Sequence, residues 1–314
     1  MMDAVTSEAA QQSILPSDTV RDAGRKVLLA EFAKANQDED SNPQVAVNVQ
    51  DMQIKVRYIQ GALKLLKSQT HTKAKGRYKR SLNRLSHELN NLRDLDYLIA
   101  DLQTFGSGID SEHQNALQSI IEKLQARRNA AVEKLVTIPN GKAQARFERS
   151  LAKYIAVPES ESEGAQKVTP SQVRHVLPRL IYNRIGAIQA YETTLVEASP
   201  STLKSLQTEF KRLQNILALF ESVLGKQIAE FNKELNSLLI TLEQLHDSAN
   251  VQSQLKRYID TGKKKYASII EAYVKYRADQ DQALTAEFKQ KWDRFNSRKV
   301  QQKLSTALLD LYNN

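Results

Sequence analysis

Gln53, Arg57, Gln60, Lys64 and Lys67 recur at intervals of 4, 3, 4 and 3. On a helix that spacing gathers all five on one face. Arg77, Arg80, Arg84, His87 and Asn91 follow at intervals of 3, 4, 3 and 4. Two neighbouring helices would then each carry a mostly cationic ridge, with charges roughly 5–6 Å apart given the rise of a helix. If the ridges share a cleft, they suit a linear string of anionic groups. Such a ligand takes charge-assisted hydrogen bonds at regular spacing and needs no base-edge contacts. Two ridges that simply face water would show the same pattern.

Little else in the chain suggests chemistry. None of the five histidines (His71, His87, His113, His175, His246) sits in a metal-ligand spacing such as H-E-x-x-H. Asp94 and Asp96 are two residues apart, so on a helix they face different directions. Arg93, Asp94 and Asp247 read better as ion pairs that orient neighbouring helices. No glycine-rich phosphate loop and no nucleophile paired with a base is present. Cysteine is absent altogether, which removes disulfides, thiolate metal sites and a cysteine nucleophile. The expectation is a non-enzymatic protein with no catalytic residues, no metal and no cofactor. Lys263-Lys264-Lys265 reads as a solvated helix start, with a second anion contact as the alternative.

The chain has 314 residues, a net charge of +9 and a pI near 9.4, and the charge is uneven. Residues 51–90 hold ten lysines and arginines against only Asp51 and Glu88, whereas the first fifty residues are net acidic. That concentration predicts a local positive field. Aromatic residues make up only 6% of the chain and no aromatic platform alternates with the cations, so nucleic acid ranks below other polyanions as a partner. No apolar run approaches a membrane span, and the N-terminus lacks the basic start and apolar stretch of a signal peptide. The reading is a soluble, cytoplasmic protein with no membrane partner.

The elements that must position these residues are helices. Leu, Ala, Lys, Glu and Gln dominate, and Gly and Pro are few. Residues 1–16 read as a disordered tail, and Ser17 as the N-cap of the first helix. Helices are expected at about 45–69, where Met52, Val56, Ile59, Leu63 and Leu66 form an apolar stripe, and at about 73–104 and 111–136. A shorter one reaches about 156. The acidic stretch 157–170 reads as a linker between a first half, 17–156, and a second, 171–312. In the second half Pro178 marks a kink or fresh start, helices follow at about 201–224, 227–260 and 263–312, and Trp292 and Phe295 anchor the last one on the core.

The halves repeat. Met52-Gln53-x3-Arg57-x2-Gln60-x2-Leu63 is matched by Leu206-Gln207-x3-Lys211-x2-Gln214-x2-Leu217, at an offset of 154. Leu92-Arg93-Asp94 is matched by Leu245-His246-Asp247, at an offset of 153. Agreement on two separate helices indicates a duplicated helical unit with pseudo-twofold symmetry, and a functional groove between the halves.

The run Leu92-Arg93-Asp94-Leu95-Asp96-Tyr97-Leu98 resembles the "RDLDVLL" segment of the CHAD family, helical proteins named for their histidines. Leu242-Glu243-Gln244-Leu245-His246-Asp247 is similar to the family's "LGELHD", and Ala23-Gly24-Arg25-Lys26-Val27-Leu28 to its opening helix. The resemblance covers roughly residues 17–312. It implies an all-α fold of two antiparallel four-helix bundles around a basic central groove that binds inorganic polyphosphate. The family's signature helix reads H-x-x-R-x-x-x-R-x-x-R. Its positions here hold Gln50, Gln53, Arg57 and Gln60, and in the second half Lys204, Gln207, Lys211 and Gln214. Both signature histidines are absent, and four arginines are replaced by glutamines. Glutamine donates a hydrogen bond but brings no charge, so affinity for polyphosphate should fall. The expected polyanion-binding residues are Lys55, Arg57, Lys64, Arg77, Arg80, Arg84, Lys204, Lys211 and Arg212. The alternative is a protein-interaction scaffold whose polyphosphate site has decayed, with a protein partner in place of the polyanion.

Overall fold

The computed structural model describes residues 13–38, 49–65, 73–137, 149, 171–260 and 266–313. Its long helices are α1 (Val20–Asp38), α2 (Val49–Leu65), α3 (Lys73–Gly106), α4 (Ser111–Thr137), α5 (Val173–Gln189) and α6 (Pro200–Leu219). After them come the short α7 (Glu221–Leu224), then α8 (Ile228–Asp260), α9 (Ala267–Phe295) and α10 (Arg298–Leu309). Two 3-10 turns, Glu192–Glu197 and Asp310–Tyr312, complete the described structure. The fold is all-α; among the described residues the one β feature is an isolated bridge between Thr19 and Gln172. The linker at 157–170 and the run Lys263-Lys264-Lys265 lie outside the described residues.

Local chemistry fixes the helix ends. Thr19 rather than Ser17 caps α1: its hydroxyl accepts from the Asp22 backbone N–H at 3.1 Å and donates to the Asp22 carboxylate at 2.7 Å. The chain enters α1 along the start of α5, with Val20 N–H donating to Ser171 O and Val173 N–H to Asp18 O, each at 2.8 Å. Residues 13–16 are therefore seated rather than part of a loose tail, and Ile14 is buried in the core. Pro178 falls inside α5 and does not start a new helix. Gly225, with φ +66°, ends α7 in a conformation that favours glycine. The last stretch divides at Asn296-Ser297, where the Ser297 side chain caps α10.

Consecutive helices pack on each other: α1 on α2, α2 on α3, α3 on α4, α5 on α6, α6 on α8, and α8 on α9. Contacts between the halves join elements of matching position in the repeat, α1 with α5, α2 with α6, α3 with α8 and α4 with α9. Gly61 lets α2 and α6 approach closely, because a Cβ there would stand 2.7 Å from Leu219 Cδ1.

The apolar core does not divide one cluster per half. One cluster joins α1, α2 and the start of α3 around Leu28, Val56, Tyr78 and Leu89. A second joins the end of α3 with α4, the end of α8 and the start of α9, around Leu98, Leu124, Leu255 and Tyr273. The third and largest holds α5, α6, the start of α8, the end of α9 and α10, and contains buried Trp292 and Phe295 as expected. The long helices α3 and α8 each run through two clusters, so the halves share a core.

Candidate functional site

Between α2 and α3 on one side and α6 and α8 on the other lies an open groove of about 960 Å³. The apolar stripes of α2 and α6 turn toward their own cores. The polar ridges beside those stripes are left at the contact between halves. Gln53, Arg57, Gln60 and Lys64 line the groove from α2, and Lys211, Arg212 and Gln214 from α6. Ser86, Asn90, Arg93 and Asp96 contribute from α3, and Asn236 and Glu243 from α8.

The structure thus brings together four of the expected residues, Arg57, Lys64, Lys211 and Arg212, and leaves five outside the lining. Lys55 is exposed roughly 150° round α2 from the groove face, at 100° per residue. Lys204 shares the angular face of Lys211 but is exposed two turns nearer the start of α6, beyond the lining. Arg77, Arg80 and Arg84 are exposed on the outer side of α3. The groove face of that helix is the row 86, 90 and 93. The Arg77 ridge lies nearly opposite the buried stripe of Tyr78, Leu82, Leu85 and Leu89, so packing turns it to solvent. Lys67 lies outside the described residues.

Three of the glutamines in the signature positions, Gln53, Gln60 and Gln214, are engaged within the protein. Gln60 Nε2 donates to Asn83 Oδ1 at 3.1 Å, and its counterpart Gln214 donates to Asn236 Oδ1 at 2.8 Å. Gln53 donates to the Leu89 carbonyl at 3.1 Å. The Nε2 of its counterpart Gln207 is buried with no hydrogen-bond partner.

Charge in the groove is unevenly balanced. At its middle, Arg57, Arg93 and Lys211 meet Glu243. Lys211 Nζ is 2.9 Å from the Glu243 carboxylate, and Arg93 Nη1 is 3.8 Å from it. Arg93 also donates to Asp94 and to Asp247, each at 3.2 Å. Burial opposes the charge of Arg93, but Asp247, Asp94 and Glu243 outweigh it and raise its pKa. Burial lowers that of Arg57, with Glu243 opposing and Arg93 reinforcing the shift, though an arginine stays charged at any ordinary pH.

At the other end the cations dominate. Lys64 is exposed at the rim, yet partial burial lowers its pKa, and the nearby charges of Arg212, Arg184 and Lys79 push the same way. Glu209 is the opposing charge; it pairs with Arg184 at 2.8 Å and also with Arg212. Lys64 itself makes no ion pair among the described residues. The charges acting on Lys64 are thus three cations, from α3, α5 and α6, against one carboxylate, and of these Arg212 lines the groove beside it.

Sequence reasoning missed Lys79, Arg184, Glu209 and Glu243, and placed Arg93 in a purely structural role. A signal existed for α3: Lys79, Asn83, Ser86, Asn90 and Arg93 follow at 4, 3, 4 and 3, beside its apolar stripe. Nothing in the pattern of α5 marks Arg184.

Behind the groove a buried polar network ties the halves together. Arg277 on α9, 4% exposed, donates to Asp101 of α3 at 3.1 Å, to Ser248 of α8 at 3.2 Å and to Gln280 at 2.7 Å. The Tyr273 hydroxyl donates to Asp101 as well, and burial followed by that bond drives its pKa far up. Asn250 donates to Asp94 at 3.3 Å, again across the halves.

Among the described residues no helix is long and apolar enough to cross a membrane. A family model described as CHAD domain matches residues 26–257. Among solved structures, the CHAD domain from the plant Ricinus communis matches with a TM-score of 0.61 over 95% of each chain, at 16% identity. No curated protein sequence matches.

Proposed function

Since the chain belongs to the CHAD domain family, we propose that it binds inorganic polyphosphate or a similar linear polyanion, without transforming it, in the groove between α2, α3, α6 and α8. The observation that supports this reading is the Lys64 end of the groove, where Lys64 and Arg212 line the groove and the charges acting on Lys64 are those of Lys79, Arg184 and Arg212 against the carboxylate of Glu209, itself paired with Arg184 and Arg212. Phosphate oxygens there would accept charge-assisted hydrogen bonds from Lys64 and Arg212 and relieve the repulsion that depresses Lys64. The groove is open to solvent, which suits a flexible chain. Polyphosphate has no bases to stack, in keeping with a lining that offers no aromatic platform. Residence in the cytoplasm fits this reading and belongs to the proposal.

The test is calorimetric titration with long-chain polyphosphate at two salt concentrations, with RNA of equal total charge as the control. Binding should fall steeply with salt, because each neutralised phosphate releases counterions. Polyphosphate should bind more tightly than RNA. Failure to bind polyphosphate at low salt overturns the reading, and equal binding of RNA replaces it with a general attraction to polyanions.

One observation favours a second reading, a protein-interaction scaffold with a decayed polyphosphate site. Gln60 and Gln214 are bonded to Asn83 and Asn236 in both halves, so these positions offer a satisfied amide surface. Partner capture that survives competition by excess polyphosphate would support it.

A further inference from the structure

We propose that Glu243 is a built-in counter-ion that blocks the middle of the groove and confines anion binding to the end around Lys64. The inference rests on the proposed polyanion site and adds what limits its footprint.

Glu243 lines the groove and is partly open to it, so its carboxylate occupies space that a ligand oxygen would otherwise take. It sits 2.9 Å from Lys211 Nζ and 3.8 Å from Arg93 Nη1, and its charge also acts on Arg57. Those are the cations at the centre of the interface between halves. Arg93 is further matched by Asp94 and Asp247, so three cations there meet three carboxylates. A phosphate entering this region would face little net positive charge and direct repulsion from Glu243. About 10 Å along α2, at Lys64, cations outnumber carboxylates.

The internal repeat supplies the comparison. At the offset of 153 that relates Asp94 to Asp247, Glu243 corresponds to Asn90. Asn90 lines the same groove from α3. One half therefore carries an amide where the other carries a carboxylate, and an uncharged side chain is sterically acceptable at that station. The asymmetry makes the groove one-ended. It favours a compact cluster of phosphates, such as a short oligophosphate or a chain terminus, over the continuous body of a long chain.

The experiment compares wild type with Glu243→Gln and Glu243→Asn, using tripolyphosphate and long-chain polyphosphate as probes at several salt concentrations. Far-UV circular dichroism and the thermal midpoint verify the fold of each variant. Removing the carboxylate frees Lys211 and leaves Arg57 without its opposing charge, whereas Arg93 stays held by Asp94 and Asp247. Long-chain affinity should rise about tenfold, and the salt dependence should steepen by about 1.4 for two added contacts at about 0.7 each. Tripolyphosphate, which fits at the Lys64 end, should change less than about twofold. A change in packing alone would not steepen the salt dependence. Wild type that binds while both variants match it in affinity and slope overturns this inference and leaves the polyanion site standing. Equal gains for both probes also overturn it. Binding that appears only in the variants supports the counter-ion and refutes the proposed function, whereas no binding by any form refutes both.

Discussion

Two double substitutions remove the same formal charge from different faces of the molecule. Lys64→Gln with Arg212→Gln strips the cationic end of the groove, and Arg80→Gln with Arg84→Gln strips the outer ridge of α3. A hydrogen bond to a charged group contributes about 1.5–3 kcal/mol. Lys64 and Arg212 are both exposed and Arg212 shares Glu209, so screening brings the figure to about 1 kcal/mol each. The groove pair together should cost about 2 kcal/mol, a loss of roughly 30-fold in affinity. The salt dependence should also become shallower by about 1.4, two contacts at about 0.7 each. The ridge pair lies across the helix from the groove, beyond the screening length of about 8 Å, and should cost less than about twofold. Glu209 keeps Arg184 as a partner in the groove variant, so no carboxylate is stranded. Calorimetric titration with long-chain polyphosphate at matched salt gives both quantities. Equal losses in the two variants would mean that net charge alone governs binding. A larger loss in the ridge variant would move the site to the outer face of α3.

Restoring the residue types of the signature helix with Gln60→Arg and Gln214→Arg should strengthen polyphosphate binding about tenfold, with a steeper salt dependence, since both positions line the groove. Arg277→Met strands Asp101 and Asp281 without their buried guanidinium and should cost about 3 kcal/mol, read as a thermal midpoint lower by about 6–10 °C. Because the pKa of Lys64 is lowered by burial and by its cationic neighbours, polyanion affinity should begin to fall at a pH below that of an ordinary lysine, and Lys64→Arg should remove this step. Stability carries the opposite sign. In that window the unfolded chain holds the Lys64 proton more tightly than the folded one, so thermal stability rises as pH climbs through the lowered pKa.

Periodicity alone determined the helices and which flank of α2 and α6 is polar, because apolar residues at helical spacing must turn inward whatever surrounds them. Paired offsets suggested a duplication from the sequence, and the bonds Gln60 to Asn83 and Gln214 to Asn236 fall at positions related by those offsets. For α3 the choice of ridge followed the density of cations, which points to Arg77, Arg80 and Arg84. Exposure is set instead by angle from the apolar stripe, and that angle sends those arginines outward and Ser86, Asn90 and Arg93 toward the groove. Of the counter-ions, only Glu209 beside Arg212, three residues apart on α6, was within reach of spacing. Whether Glu209 also neutralises Arg184, and Glu243 Lys211, depends on how α5, α6 and α8 pack together. Local pattern orients each helix toward an apolar interior. Only packing between elements distant in sequence decides which charges face one another, and that pairing sets what the groove can hold.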